Sequence, residues 1–381
     1  MSDKFNFTGS GKVLFGEGKF KELLSLTEMA HSILICGKSF KKTQQYTSIK
    51  DKVYKEFTIS GEPEPETINN ITASVKGKIK SVIAVGGGSS LDAGKAVAAM
   101  CQSEGLIEDY LEGLGTKEPT GKTLPVIAIP TTAGTGSEAT KNAVICSRGE
   151  KGYKKSLRHD NYIPQFVIID PLLYINCPSQ IMSSCGMDAF CQLLESYIST
   201  GSNFYTDTLA WKGITIFIDS FADLCTGEIK NIDKMGEIAF AAYLSGITLA
   251  NAGLGTVHGI AGPMGGFYEI PHGTACGTLL PVVIKRTVEK LYLEKRSDTL
   301  EKIDKIGSYI LKKTPEKSDK TPADALNEML DQWLIQLKIP RLSVFAIDIR
   351  GAEKIASHSG NKNNPIQFRT DEIKEMIISR I

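Results

Sequence analysis

Chemistry-bearing residues are scarce in this sequence. Among 381 residues there are only five histidines and two tryptophans, and the eight cysteines form no CxxC pair. The scattered thiols read as reduced, mostly buried groups of a cytoplasmic protein. Charge of one sign is also missing. The formal net charge is +1, so nothing favours binding to nucleic acid or to an anionic membrane surface. The opening residues MSDKFNFTGSGK form no apolar leader. No apolar run approaches the roughly eighteen residues a membrane span needs. Short-period repeats and low-complexity tracts are absent too. The remaining composition, 41% hydrophobic and 23% charged, is that of an ordinary globular protein, and the length suggests two domains.

What is present is glycine placed with purpose. Residues 253–281, GLGTVHGIAGPMGGFYEIPHGTACGTLLP, hold His258 and His272 fourteen positions apart, and eleven of the residues are glycine or proline. Each interior glycine costs a helix about 1 kcal/mol and each proline about 3. The expected structure is a helix running into His258, a bent linker through Pro263 and Gly265-Gly266, and a new helix near Pro271. Such a reversal brings two imidazoles to one point. On spacing alone this suits metal ligation or a tight helix connection equally. A second stretch, SSCGMDAFCQLLESYIST at 183–200, has helical spacing and places Asp188 and Gln192 on one face. An Asp beside an apolar stripe needs a cation or a hydrogen-bond partner if buried, or else it lies at the surface. Asp188, His258 and His272 together form an O/N/N set suited to Zn²⁺ or Fe²⁺.

In chain order, residues 5–15 read as a short hairpin. His31–Cys36 is a buried strand ending at Gly37-Lys38-Ser39, with Lys41 and Lys42 beyond. Ser81–Val85 runs straight into Gly86-Gly87-Gly88-Ser89-Ser90 and then a helix holding Asp92. That strand–glycine–helix junction is either an anion site, where backbone N–H groups approach a pyrophosphate, or a tight turn. Leu124–Ile129 ends at PTTAGTGSE, rich in hydroxyls at a strand's C-terminal end, which suggests a second ligand loop. Asn142–Cys146 and Gly152–Leu157 look like a hairpin carrying Lys154 and Lys155. After residue 178 no convincing strand follows. The expected fold is therefore an α/β dinucleotide-binding domain over 1–178 and an all-α domain over 179–381, with the reactive centre in the cleft between them.

Four motifs in order resemble the iron-containing (group III) alcohol dehydrogenases, of the dehydroquinate synthase-like fold. GGGSSLDAGKAVA at 86–98 resembles the family's pyrophosphate motif, and PTTAGTGSEAT at 130–140 its second cofactor loop. GMDAFCQLLESYIS at 186–199 and GLGTVHGIAGPMGGFYEIPHG at 253–273 resemble its two metal segments. The resemblance implies a nicotinamide dinucleotide held by Gly86, Gly87, Gly88, Ser89, Asp92, Thr131, Thr132, Ser137 and Lys154. It implies Fe²⁺ or Zn²⁺ on Asp188, His258 and His272, residues that also carry catalysis.

Two positions depart from the family pattern. Gln192 stands where a metal-binding His is usual, so it becomes a weaker fourth ligand and metal binding is expected to be weakened or lost. Gly262 stands where the proton-relay His is usual. Gly37 replaces an acidic residue at the end of its strand; with Ser39 and the nearby lysines this suits a 2′-phosphate, so NADP(H) is expected over NAD(H). The implied activity is that of an NAD(P)-dependent alcohol dehydrogenase or aldehyde reductase of EC 1.1.1.-, acting on a small alcohol or aldehyde. A metal-independent carbonyl reductase of the maleylacetate reductase type and a non-catalytic dinucleotide-binding relative are the alternatives. A homodimer through the N-terminal edge is expected.

Overall fold

The computed structural model describes residues 4–149, 152–227, 231–313 and 319–381. Its first part carries β1 (Lys12–Phe15), α1 (Leu23–Leu26), β2 (Ser32–Gly37), α2 (Gln44–Ile49), β3 (Lys55–Ile59), α3 (Pro65–Val75), β4 (Ser81–Gly86), α4 (Gly88–Met100), β5 (Val126–Pro130), β6 (Asn142–Ser147), β7 (Tyr153–Arg158) and β8 (Phe166–Ile169). From Ser179 onward every described regular element is helical. These are α5 (Ser179–Ile198), α6 (Phe204–Thr226), α7 (Ile232–Ala252), α8 (Thr256–Phe267), α9 (His272–Leu293), α10 (Ser297–Leu311), α11 (Pro322–Gln336), α12 (Ile349–His358) and α13 (Thr370–Ile378). The chain is thus an α/β N-terminal domain followed by a helical C-terminal domain, as its sequence indicates.

Six strands form one parallel sheet in the order β1-β8-β5-β4-β2-β3. Parallel strands are covered on both faces, which is why SILIC, SVIAV and VIAIP are unbroken apolar runs. The chain moves from β2 towards β3 but from β4 towards β5, so the direction reverses between β2 and β4. Ligands gather at such a switch point, beyond the carboxyl ends of the strands. Gly37 and Gly86 sit side by side there: a Cβ on Gly86 would lie 3.3 Å from the Gly37 nitrogen. The expected β6–β7 hairpin forms a separate antiparallel pair.

Two local expectations are corrected. Residues 5–15 are not a hairpin; β1 alone pairs, in parallel, with β8. The segment before it is instead anchored on the helical domain. Phe5 and Phe7 pack against Tyr205, and Thr8 exchanges backbone hydrogen bonds with the Asn251 side chain. The second correction is at α8, which starts two residues before His258 and continues through Pro263, Gly265 and Gly266. Val257, Ile260, Ala261 and Met264 are completely buried. Burial of such side chains contributes roughly 1.5–3 kcal/mol each for the larger ones, enough to override the glycine and proline penalties.

The second loop, Thr131–Thr140, is locked from both sides. Lys95 of α4 is buried and donates to the Ser137 carbonyl at 2.9 Å and to Thr140 Oγ1 at 3.0 Å. Across the domain boundary, Gly136 takes a left-handed φ of 59° and abuts α7. A Cβ on Gly246 would lie 2.1 Å from the Gly136 oxygen. Gly246→Ala should therefore destabilise the fold by about 1–3 kcal/mol, read as a lowered urea midpoint. Gly262→Ala meets open space and should be neutral or stabilising by up to about 1 kcal/mol. Equal effects of the two would contradict the contact.

Glu138 in the same loop is buried, and burial pushes its carboxyl from 4.5 to about 7, with Lys95 offsetting only part of the penalty. The unfolded chain loses this proton near 4.5 while the fold retains it. Stability is consequently lost as pH rises between those values, by about 3 kcal/mol. Glu138→Gln should abolish this dependence and raise stability above pH 7, measured by denaturation at pH 5 and pH 8. An unchanged pH profile would contradict it.

Candidate active site

The two cofactor loops fit together by contact. A Cβ on Gly87 would lie 3.1 Å from Thr132 Oγ1, and one on Gly88 would lie 2.6 Å from Thr135 Oγ1. Only glycine allows the first loop to nest so closely on the second, and Gly87 at the N-cap leaves the α4 N-terminus open to an anion. The Thr131 N–H bonds the Gly86 carbonyl at 3.0 Å, joining the loops again.

Other predicted cofactor residues face inward. Asp92 accepts a short hydrogen bond from Ser137, another from the Val144 N–H at 3.1 Å, and pairs with Lys95 at 3.0 Å. Asp92 and Ser137 thus hold the cradle together. Ser39 and Lys38 are exposed at the end of β2. Lys154 on β7 pairs with Glu62 and runs under α8, where a Cβ on Gly265 would lie 3.9 Å from its Nζ. Its neighbour Lys155 points to the other side of the strand, towards Gly113, as alternation requires.

The predicted metal residues converge on one point. Asp188 on α5, almost fully buried, places Oδ1 3.2 Å from His258 Nε2 and 3.9 Å from His272 Nε2. α7 and α8 meet at about 100°, and that turn carries His258 back onto α5. His258 Nδ1 lies 2.7 Å from Glu195 Oε2, while Glu195 Oε1 accepts from the Val257 N–H at 2.7 Å. The Glu195 carboxylate accepts the Nδ1 proton in a hydrogen bond, so a cation that replaces the Nε2 proton would meet an oriented lone pair, a usual support for a metal-binding imidazole. His272 opens α9, and its Nδ1 has no partner among the described residues.

Gln192, also on α5 and buried, has its Oε1 2.8 Å from the Ser245 hydroxyl, which also lies 2.7 Å from the Ala242 carbonyl. A further candidate donor is one that the sequence reading passed over. Cys276 Sγ lies 3.6 Å from His258 Nε2 and 3.7 Å from His272 Nε2. The donor atoms of Asp188, His258, His272 and Cys276 all lie within 4.8 Å of one another. The i, i+4 spacing of His272 and Cys276 was the available signal.

Electrostatics point the same way. Burial disfavours a charged imidazole at His258, yet Cys276, Asp188 and Glu195 outweigh it and hold its pKa well above the ordinary value. Burial also opposes a thiolate at Cys276, but a hydrogen bond from Cys191 and the two imidazoles pull it well below the ordinary thiol value. The cluster therefore favours positive charge among its donors, and its O, N and S atoms suit a divalent cation.

Lys362 is the other residue the sequence reading omitted. It takes a left-handed φ of 47°, on a loop whose Gly360 carbonyl presses against Gly259 of α8. Its side chain is exposed, so water screens the attraction of Glu195 and Cys276 for its ammonium group. Gly262 faces open space.

Comparison with known proteins agrees with this geometry. Residues 10–171 match the family model described as iron-containing alcohol dehydrogenase, and residues 182–381 match that of the Fe-containing alcohol dehydrogenase family, C-terminal. The chain is 31% identical over 325 residues to alcohol dehydrogenase 4 of Saccharomyces cerevisiae, covering 83% of this chain and 80% of that one. It is 30% identical over 294 residues to a 4-hydroxybutyrate dehydrogenase of Clostridium kluyveri, covering 76% and 75%. A solved alcohol dehydrogenase from Oenococcus oeni superposes with a TM-score of 0.82 at 25% identity, covering 99% of this chain and 100% of that one. With both family models matched over nearly its whole length, a dinucleotide cradle and a convergent metal-donor cluster, the chain belongs to the iron-containing alcohol dehydrogenase family and is an oxidoreductase acting on CH–OH donors.

Proposed function

We propose that this chain is an NADP(H)-preferring alcohol dehydrogenase or aldehyde reductase that holds a divalent cation on Asp188, His258 and His272. The observation that carries the reading is their convergence at a point where α5 packs directly on the second cofactor loop. A Cβ on Gly134 of that loop would lie 2.7 Å from Cys185 Cβ. A bound cation supplies Lewis acidity towards the substrate oxygen, and a bound nicotinamide supplies the hydride. Asp188 contributes the anionic charge, and Glu195 orients His258. The Gly86–Ser89 and Thr131–Thr132 loops position the dinucleotide, with Lys154 reaching the cleft under α8. Position 262 has no side chain, so the proton travels through water, substrate or ribose hydroxyls.

The preference for NADP(H) is supported by Gly37, Ser39, Lys38 and Lys42 at the end of β2. Lys41 adds less, because it pairs with Glu56 at 2.9 Å. We also place the domain boundary near residue 178, the protein in the cytoplasm, and a homodimer along the β1 edge. Phe15 on that edge is 45% exposed, and an unpaired strand edge favours self-association. No single described helix is long and apolar enough to cross a membrane.

Three outcomes are expected. The dissociation constant for NADPH should be lower than for NADH, measured by quenching of protein fluorescence; equal or reversed values would remove the preference. His272→Ala should reduce kcat for aldehyde reduction by about 100-fold or more with little change in dinucleotide affinity. Equal losses of both would contradict a role at the reacting oxygen. Gly262→His should raise a proton-transfer-limited kcat by about tenfold or more and introduce a solvent isotope-sensitive step with an imidazole pKa. No change in rate or isotope effect would show that proton transfer is not limiting.

A further inference from the structure

Given the metal-centred reading above, on which this inference rests, the geometry points to Cys276 as a fourth, thiolate ligand that makes this a zinc-selective centre in place of an iron one. Tetrahedral zinc, with bonds of about 2.3 Å to sulfur and about 2.0–2.2 Å to nitrogen and oxygen, sets N···S separations of about 3.6 Å and N···O separations of about 3.4 Å. The Cys276 sulfur lies 3.6 and 3.7 Å from the two imidazole nitrogens. Asp188 Oδ1 lies 3.2 and 3.9 Å from the same atoms. These four separations bracket the zinc values, and all four donor atoms lie within 4.8 Å of one another.

Three further observations assign the role to Cys276. It shares one face of α9 with His272, four residues earlier, so one rigid helix presents both donors. It is fully buried, yet its sulfur meets imidazole nitrogens on two sides, unlike a thiol serving only as apolar filling. Gln192, an amide where the resemblance expects an imidazole, is the weaker donor for these metals, and its Oε1 also lies 2.8 Å from the Ser245 hydroxyl. The sulfur compensates for the missing imidazole from a different helix. Ligation displaces the thiol proton to solvent and leaves a soft anionic donor, which favours Zn²⁺ over Fe²⁺ and Mg²⁺. Zinc held by these four residues would supply Lewis acidity towards a substrate oxygen.

The test uses the full chain, freed of metal and loaded with one equivalent of Co²⁺, which reports sulfur ligation through a thiolate-to-cobalt charge-transfer band in the near ultraviolet. The wild type should show this band; Cys276→Ser should bind cobalt but lose it, and Cys191→Ser should keep it. In competition, Cys276→Ser should also lower the ratio of Zn²⁺ to Fe²⁺ association constants by about tenfold or more. Stoichiometric cobalt without the band in the wild type, or a band that survives in Cys276→Ser, overturns thiolate ligation while leaving a metal centre in place. Failure of the wild type to bind cobalt at all overturns both this inference and the metal-centred reading. If Cys276→Ser does not fold, a band retained by Cys191→Ser still supports Cys276, and a band lost in Cys191→Ser overturns it.

Discussion

A carboxylate buried against two imidazoles and a thiol is a demanding arrangement. Asp188 lies at 1% exposure, where an isolated anion is strongly disfavoured and must be neutralised by protons or a cation. The surrounding groups answer that demand in one direction. His258 is pushed towards its charged form, while the second carboxylate, Glu195, holds its far side. A divalent cation among these donors satisfies the same field without leaving any of them uncompensated. The long helices α5, α8 and α9, packed together and on the sheet's ligand loops, keep the donors within a few ångströms of one another.

The two positions that the sequence reading singled out differ in their surroundings. Gln192 is buried on α5, while the Cys276 sulfur lies on α9. A Cβ on Gly262 would meet open space. The dinucleotide side is built with less freedom. Asp92, Lys95 and Ser137 form a buried ionic and hydrogen-bonded knot whose geometry sets both glycine loops. Changing any of the three alters the geometry of the cradle.

The legible part of the fold was the part controlled by local chemistry. Unbroken apolar runs marked the parallel strands, and glycine clusters marked the turns at their ends. The β6–β7 pair followed from two short runs flanking a turn. The misread parts depended on tertiary packing. Residues 5–15 have hairpin-like alternation, but Phe5 and Phe7 find Tyr205, nearly two hundred positions away. Pro263 and four glycines suggested a broken helix, whereas burial of Val257, Ile260, Ala261 and Met264 sustains one. Helix α12 also went unread, although Asp348 caps it by accepting from the Gly351 N–H. At the site, Asp188, His258 and His272 were recognisable from motif spacing. Cys276 was not, because a single cysteine in an apolar helix ordinarily reads as core, and only the fold shows its sulfur between two imidazoles.

The most direct test of the central claim is a metal titration of the apo-protein, following aldehyde-dependent oxidation of NADPH. The account predicts negligible turnover without metal and full recovery at one equivalent of Zn²⁺ per chain, at the Asp188/His258/His272/Cys276 cluster. Turnover by verified metal-free protein at the rate of the loaded enzyme would contradict it.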